Sequence, residues 1–109
     1  MGNRSYIVIN NPDEPEATIS LYGHHSAEDN LTAVRNVLGR TDRIGDHAYL
    51  TAQLFYEFAS IGWYDGEIGF GIMAGDVSDD TDNPTVFVNS KSGGYVYQDE
   101  FNSEFVGLR

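Results

Sequence analysis

"HAYLTAQLFYEFASIG", His47 to Gly62, decides how this chain folds. Its apolar residues run nearly all the way round a helical wheel. Gln53, Glu57 and Ser60 make one narrow polar line at i, i+4 and i+7. A helix apolar on most sides is central, or buries a second face in a partner. Asp46 is placed to cap its start, and Gly62 to stop it.

Just upstream, "SAEDNLTAVRNVLGR" (Ser26 to Arg40) reads as another helix. Ser26 is the expected N-cap. Asp29, three residues on, completes a capping-box-like pair that suits the positive helix start. Leu31, Val34, Val37 and Leu38 recur at helical spacing, and Gly39 is the expected end.

Strands flank this pair. "SYIVIN" (Ser5 to Asn10) is β-branched, with Tyr6 and Val8, or Ile7 and Ile9, facing inward. "NPDEPE" (Asn11 to Glu16) is a turn, and "ATISLYG" (Ala17 to Gly23) puts Ile19 and Leu21 on one face. After a "WYDG" turn, "EIGFGIM" (Glu67 to Met73) reads as a strand. Its Gly69 and Gly71 leave room for close approach by the second helix. "PTVFVN" (Pro84 to Asn89), a "SKSGG" hairpin turn and "YVYQ" (Tyr95 to Gln98) follow, and residues 99–109 form a short strand or a loose tail. The order is ββααβββ. It predicts a single α+β domain over residues 1–109: a mostly antiparallel sheet of about five strands with both helices on one face.

The 109 residues include no cysteine, which excludes disulfides, thiolate metal sites and a cysteine nucleophile. "MGNRSYIVIN" lacks the apolar core of a secretory signal, and no apolar run approaches the ~20 residues of a membrane span. A cytoplasmic protein is expected. The formal charge is -11, from 17 acids against six Lys and Arg. That field repels nucleic acid and anionic lipid and attracts a basic partner.

"GDVSDDTDNP" (Gly75 to Pro84) concentrates the acidity in Asp76, Asp79, Asp80 and Asp82. An EF-hand loop started at Asp76 finds Ser78 and Asp80 in place. Thr81 then stands where glycine is needed, and Phe87 where a bidentate Glu is needed. Asp76, Asp80 and Asp82 remain candidates only for a loose cation site, and a hydrated strand-to-strand connector is the preferred reading of the loop. His24 and His25 are adjacent and point apart in an extended chain; with His47 they make the second metal candidate. Ser26 beside His25 and Asp29 resembles a triad on paper, but Ser26 is better read as a cap. Glu57 and Glu67 have no fixed separation, and no phosphate loop is present. No catalytic residue is assigned, and no cofactor is expected. Tyr22, Tyr49, Tyr56, Trp63, Tyr64, Tyr95 and Tyr97 exceed the needs of the core, and surface aromatics are frequent binding anchors. The acids lie in turns rather than along one face, so imitation of DNA is a lesser expectation.

The opening "MGNR", "LYGHHS" before a helix, "YLTAQLFYEF", "DGEIGFGI" and "TDNPTVFVN" together resemble a group of small bacteriophage and prophage proteins. The matching positions are Gly2, Asn3, Arg4, Tyr22, His24, Asp82 and Asn83; His25 stands where those sequences tend to have Trp. The resemblance implies a phage accessory factor that engages a host or defence protein. If the first strand and a late strand are neighbours, Arg4 pairs with Asp82, and Asn3, Arg4, His24, Asp82 and Asn83 cluster at one sheet end.

The sequence therefore predicts a non-enzymatic binding protein. Its contact residues are drawn from Arg4, Tyr22, His24, Trp63, Tyr64, Asp76, Asp79, Asp80, Asp82 and Asn83. The partner is a host protein, basic or nucleic-acid-binding; nucleic acid and membrane are not direct partners, and self-association through the second helix or a strand edge is open. A cation- or small-ligand module at residues 76–83 and His24 is the runner-up, and a small hydrolase the third reading.

Overall fold

The computed structural model describes residues 4–24, 26–61, 70–78, 81–98 and 103–107. The elements run β1 (Ser5–Asn10), a 3-10 turn (Pro15–Ala17), β2 (Ile19–Gly23), α1 (Ala27–Arg40) and α2 (His47–Ile61). Then follow β3 (Gly71–Ala74), β4 (Thr85–Asn89), β5 (Tyr95–Gln98) and β6 (Ser103–Gly107). The α+β class is as expected. The tail supplies a strand, β6, paired with β5.

The sheet order is β3-β2-β1-β4-β5-β6. The expectation of a mostly antiparallel sheet needs correcting at its centre. Ile7 pairs with Val86 and Ile9 with Val88 in parallel, while the other neighbours are antiparallel. The cause is the acidic loop. Hairpin loops span about two to five residues, and Gly75–Pro84 is longer. It is a crossover that leaves β3 at the sheet edge and delivers β4 beside β1, two strands away.

Both helices lie on one face. Ile7, Ile9, Leu21, Val86 and Val88 from the sheet meet Val34, Val37 and Leu38 of α1 and Leu50, Leu54 and Phe58 of α2. Each fully buried side chain of this size contributes roughly 1.5–3 kcal/mol against leaving it in water. On β1 every residue from Ser5 to Ile9 is buried. The two alternative inward faces read from "SYIVIN" are therefore both inward, as expected of a strand covered on both sides.

The caps match their signals. The Asp29 amide donates to Ser26 Oγ at 3.2 Å, and the Tyr49 amide to Asp46 Oδ1 at 3.2 Å. Gly39 does not end α1; the helix continues to Arg40 and closes where the Thr41 amide donates to the Val37 carbonyl at 2.9 Å. The close strand–helix approach assigned to Gly71 occurs instead at Gly23. A Cβ built on Gly23 would stand 2.8 Å from Cζ of Phe58, whereas one on Gly71 meets nothing closer than Tyr22 at 3.9 Å. Glu67–Gly69, which were to begin β3, and the "WYDG" turn lie outside the described residues.

Candidate functional site

Two surfaces carry the exposed chemistry, one on each side of the sheet. The first is the crossover. Gly75 has a φ of 82°, which an L side chain rarely adopts, and this turns the chain back over β2. Its amide donates to the Thr18 carbonyl at 2.7 Å. Ser20 Oγ, on the strand face opposite the helices, donates to the Gly75 carbonyl at 2.6 Å and accepts from the Val77 amide at 3.2 Å. Asp76 folds onto Ser78, taking its amide at 3.0 Å and its hydroxyl at 2.6 Å.

The crossover ends at the other end of the sheet. The Arg4 carbonyl accepts from the Asp82 amide, the Thr81 hydroxyl and the Asn83 side-chain amide at 3.0, 3.1 and 3.0 Å. The Arg4 amide and Nε both donate to Asp82 Oδ2 at 3.0 Å. That guanidinium, with help from the backbone amide, holds the Asp82 carboxyl below the usual carboxylate range. The conditional prediction is met: β1 and β4 are neighbours, and Arg4 pairs with Asp82. Tyr22 stacks between Tyr6, at 5.3 Å, and His24, at 5.0 Å, close to the same sheet end. Arg4, Asp82 and Asn83 are thus brought together, while Tyr22 and His24 form a separate aromatic pair near the same sheet end. Asp76 does not join Arg4; its segment is fastened at Ser20, which pairs with Val8, four residues along β1 from Arg4 and so about 13 Å away. One ion does not span that spacing. Among the described residues no group of three His, Asp or Glu is placed to hold a metal. Asn3, His25, Trp63, Tyr64, Glu67, Asp79 and Asp80 lie outside the described residues.

His47 is far from His24. Its Nε2 donates to the Ala17 carbonyl at 2.6 Å, since a carbonyl only accepts, and its Nδ1 meets Ser90 Oγ at 2.8 Å. Ser90 also binds the Asn10 carbonyl and takes the Gly45 amide. With Ser90 only 2% exposed, this Ser–His contact is a joint between α2, the 3-10 turn before β2 and the end of β4 rather than an accessible nucleophile.

The second surface is the corner between α1 and α2. The polar line of α2 faces the end of α1: Gln53 Oε1 accepts from Thr41 Oγ1 at 2.5 Å, and Glu57 accepts from Arg40 at 2.7 Å and Asn36 at 3.4 Å. The Arg40 hydrogen bond keeps the Glu57 carboxyl below its usual range. Outside this seam Tyr49 and Tyr56 are 56% and 70% exposed, two turns apart on one helix face. Arg40, Thr41, Asp42, Ala52, Gln53 and Tyr56 line a groove of about 410 Å³. The Arg43 guanidinium lies 4.3 Å from the Tyr49 ring centre. Tyr95, by contrast, is core, with its hydroxyl accepting from Arg35 at 3.1 Å, and Tyr97 packs against the same core.

The tyrosines were visible in the sequence as surplus aromatics. The groove was not, because Asp42 and Gln53 have no motif and meet only through the α1–α2 turn. No described helix is long and apolar enough to cross a membrane. Comparison with protein families, with curated proteins and with solved structures finds no match to this chain.

Proposed function

We propose that this chain is a non-enzymatic binding domain that engages a basic protein through the outer face of α2. The resemblance to phage-encoded proteins makes that partner a host or defence protein. One observation carries the reading: Tyr49 and Tyr56 are exposed on a helix whose other faces are already committed to the core and to α1. Exposed tyrosines on a rigid helix give large contact area at little entropic cost. The net charge of -11 supplies attraction at long range, and screening removes it beyond a Debye length of ~8 Å at physiological salt.

The test uses the immobilised chain against a bacterial lysate at about 0.05 M and about 0.5 M salt, with a Tyr49→Ala/Tyr56→Ala variant in parallel. Specific capture is expected from the parent chain at low salt, reduced at high salt and lost in the variant. Capture that survives both tyrosine substitutions defeats the reading.

A further inference from the structure

The α1–α2 groove has a chemistry of its own. Three carboxylates, those of Asp42, Asp46 and Glu57, face two guanidiniums, those of Arg40 and Arg43. Arg40 is satisfied by Glu57 at 2.7 Å. Arg43 is divided between Asp46 at 3.7 Å and Asp42 at 3.9 Å. The least engaged carboxylate is Asp42, whose side chain is 96% exposed at the rim of the groove.

The two tyrosines are unequal. Tyr49 already has a guanidinium over its ring. Tyr56, two turns on and more exposed, has no ring or cation against it among the described residues. Its ring forms one wall of the groove, with the Gln53 amide and the Asp42 carboxylate nearby. A planar cation entering there would repeat at Tyr56 the stacking that Arg43 makes at Tyr49. It would also bring charge to the carboxylate the corner leaves over.

We infer that the groove between the end of α1 and the outer face of α2 is a docking site for an arginine side chain of a basic partner protein, stacked on Tyr56 and paired with Asp42. This rests on the reading that the chain binds a basic protein and names the contact. Arginine fits better than lysine because its flat, weakly hydrated guanidinium stacks on an aromatic face and forks onto a carboxylate. Charge complementarity selects this occupant over a second copy of the chain, since two molecules of charge -11 repel.

The experiment is a titration of the isotope-labelled chain with a capped glycine pentapeptide carrying one central arginine, followed by amide chemical shifts. Matched peptides carry lysine or neutral citrulline instead. Shifts should centre on Asp42, Gln53 and Tyr56, and the arginine peptide should bind about three- to tenfold more tightly than the citrulline peptide. Tyr56→Ala and Asp42→Asn should each lose about three- to fivefold, and Asp13→Asn, on a remote turn, should change nothing. The exposed positions of Tyr56 and Asp42 keep these variants folded, which a thermal melt verifies. Equal response to citrulline, or no response at the groove, overturns the inference. Shifts centred on Asp76–Asp82 instead would also overturn it while leaving the basic-partner reading standing.

Discussion

The two faces of the sheet are built by different physics. The helical face is a hydrophobic layer, with Leu50, Leu54 and Phe58 fully buried against Ile7, Leu21 and Val86. The crossover face is held by directed polar contacts at its two ends: Ser20 on Gly75 and Val77, and Arg4 on Thr81, Asp82 and Asn83. Charge divides the same way. Residues 27–61 carry five acids and three arginines; the ten residues of the crossover segment carry four aspartates and no cation. The exposed tyrosines belong to the near-neutral side. Aromatic contact and negative field, which the sequence suggests would act together, are thus displayed on opposite layers. Under the proposed reading, a partner drawn in by the crossover would still have to find the helices to make apolar contact. Steering would then set the encounter rate, and the α2 face would set the lifetime of the complex.

The contrast is broken most severely from the helical side. Phe58→Ala empties the centre of the core, where Phe58 is packed against Phe55 and Phe70. It should cost about 3–5 kcal/mol in chemical denaturation. A loss below about 1 kcal/mol would mean that this layer is not what holds the domain together. Ser20→Ala tests the other face. It removes a buried hydroxyl that serves one carbonyl and one amide of the crossover, and should cost about 1–3 kcal/mol. Hydrogen exchange at the Val77 amide should quicken while the α2 amides stay protected. Uniform acceleration would show that the two layers unfold as one unit.

Much of the helical layer was legible in the sequence, because helical periodicity and capping are local. Ser26 and Asp46 cap as read, and Val34, Val37 and Leu38 are buried as read. The crossover layer was not. Whether Pro84 leads into a hairpin partner of β3 or into a strand three places away depends on where ten residues travel, and no local signal records that path. The same blindness hid Gly23, which looks like an ordinary strand terminus until Phe58 is packed on it. The Arg4–Asp82 pair follows from sequence only once β1 and β4 are known to be neighbours, which is a matter of topology. In the sequence His47 looks like a metal candidate because its real partners, Ala17 and Ser90, are 30 and 43 residues away.

Within the helical layer the apolar rule is broken most plainly in α1. Asn30 is fully buried in the first turns of α1, and among the described residues neither its amide oxygen nor its nitrogen has a hydrogen-bond partner. A buried polar group left unpaired costs free energy that an apolar group of similar shape does not. Asn30→Leu should therefore raise stability by about 1 kcal/mol, seen as a higher denaturation midpoint with an unchanged slope. A loss of stability would indicate that Asn30 is hydrated or that the site is too tight for leucine.

The smallest effect expected is electrostatic, and it has one representative on each face. Glu57 is held below its usual range chiefly by the Arg40 hydrogen bond, and Asp82 chiefly by Arg4. A carboxyl whose folded value is depressed contributes stability above its unfolded value, about 4.3 for Glu and 3.9 for Asp. It loses that contribution as pH falls through the folded value. Both pairs are therefore complete at neutral pH and weaken only below about pH 4. Glu57→Gln should lower stability at pH 7 by at most about 1 kcal/mol, because Arg40 is more than half exposed and the pair is screened. The deficit should close as the pH drops below about 4 and the parent protein protonates Glu57. On the crossover face, the amides of Asp82 and Asn83 should lose protection in acid, relative to their intrinsic exchange rates, before those of α2 do, since Asp82 is a fastening of its segment whereas the helix has a core beneath it. A Glu57→Gln variant whose deficit persists unchanged at pH 3 would show that the Arg40–Glu57 contact acts through packing rather than charge.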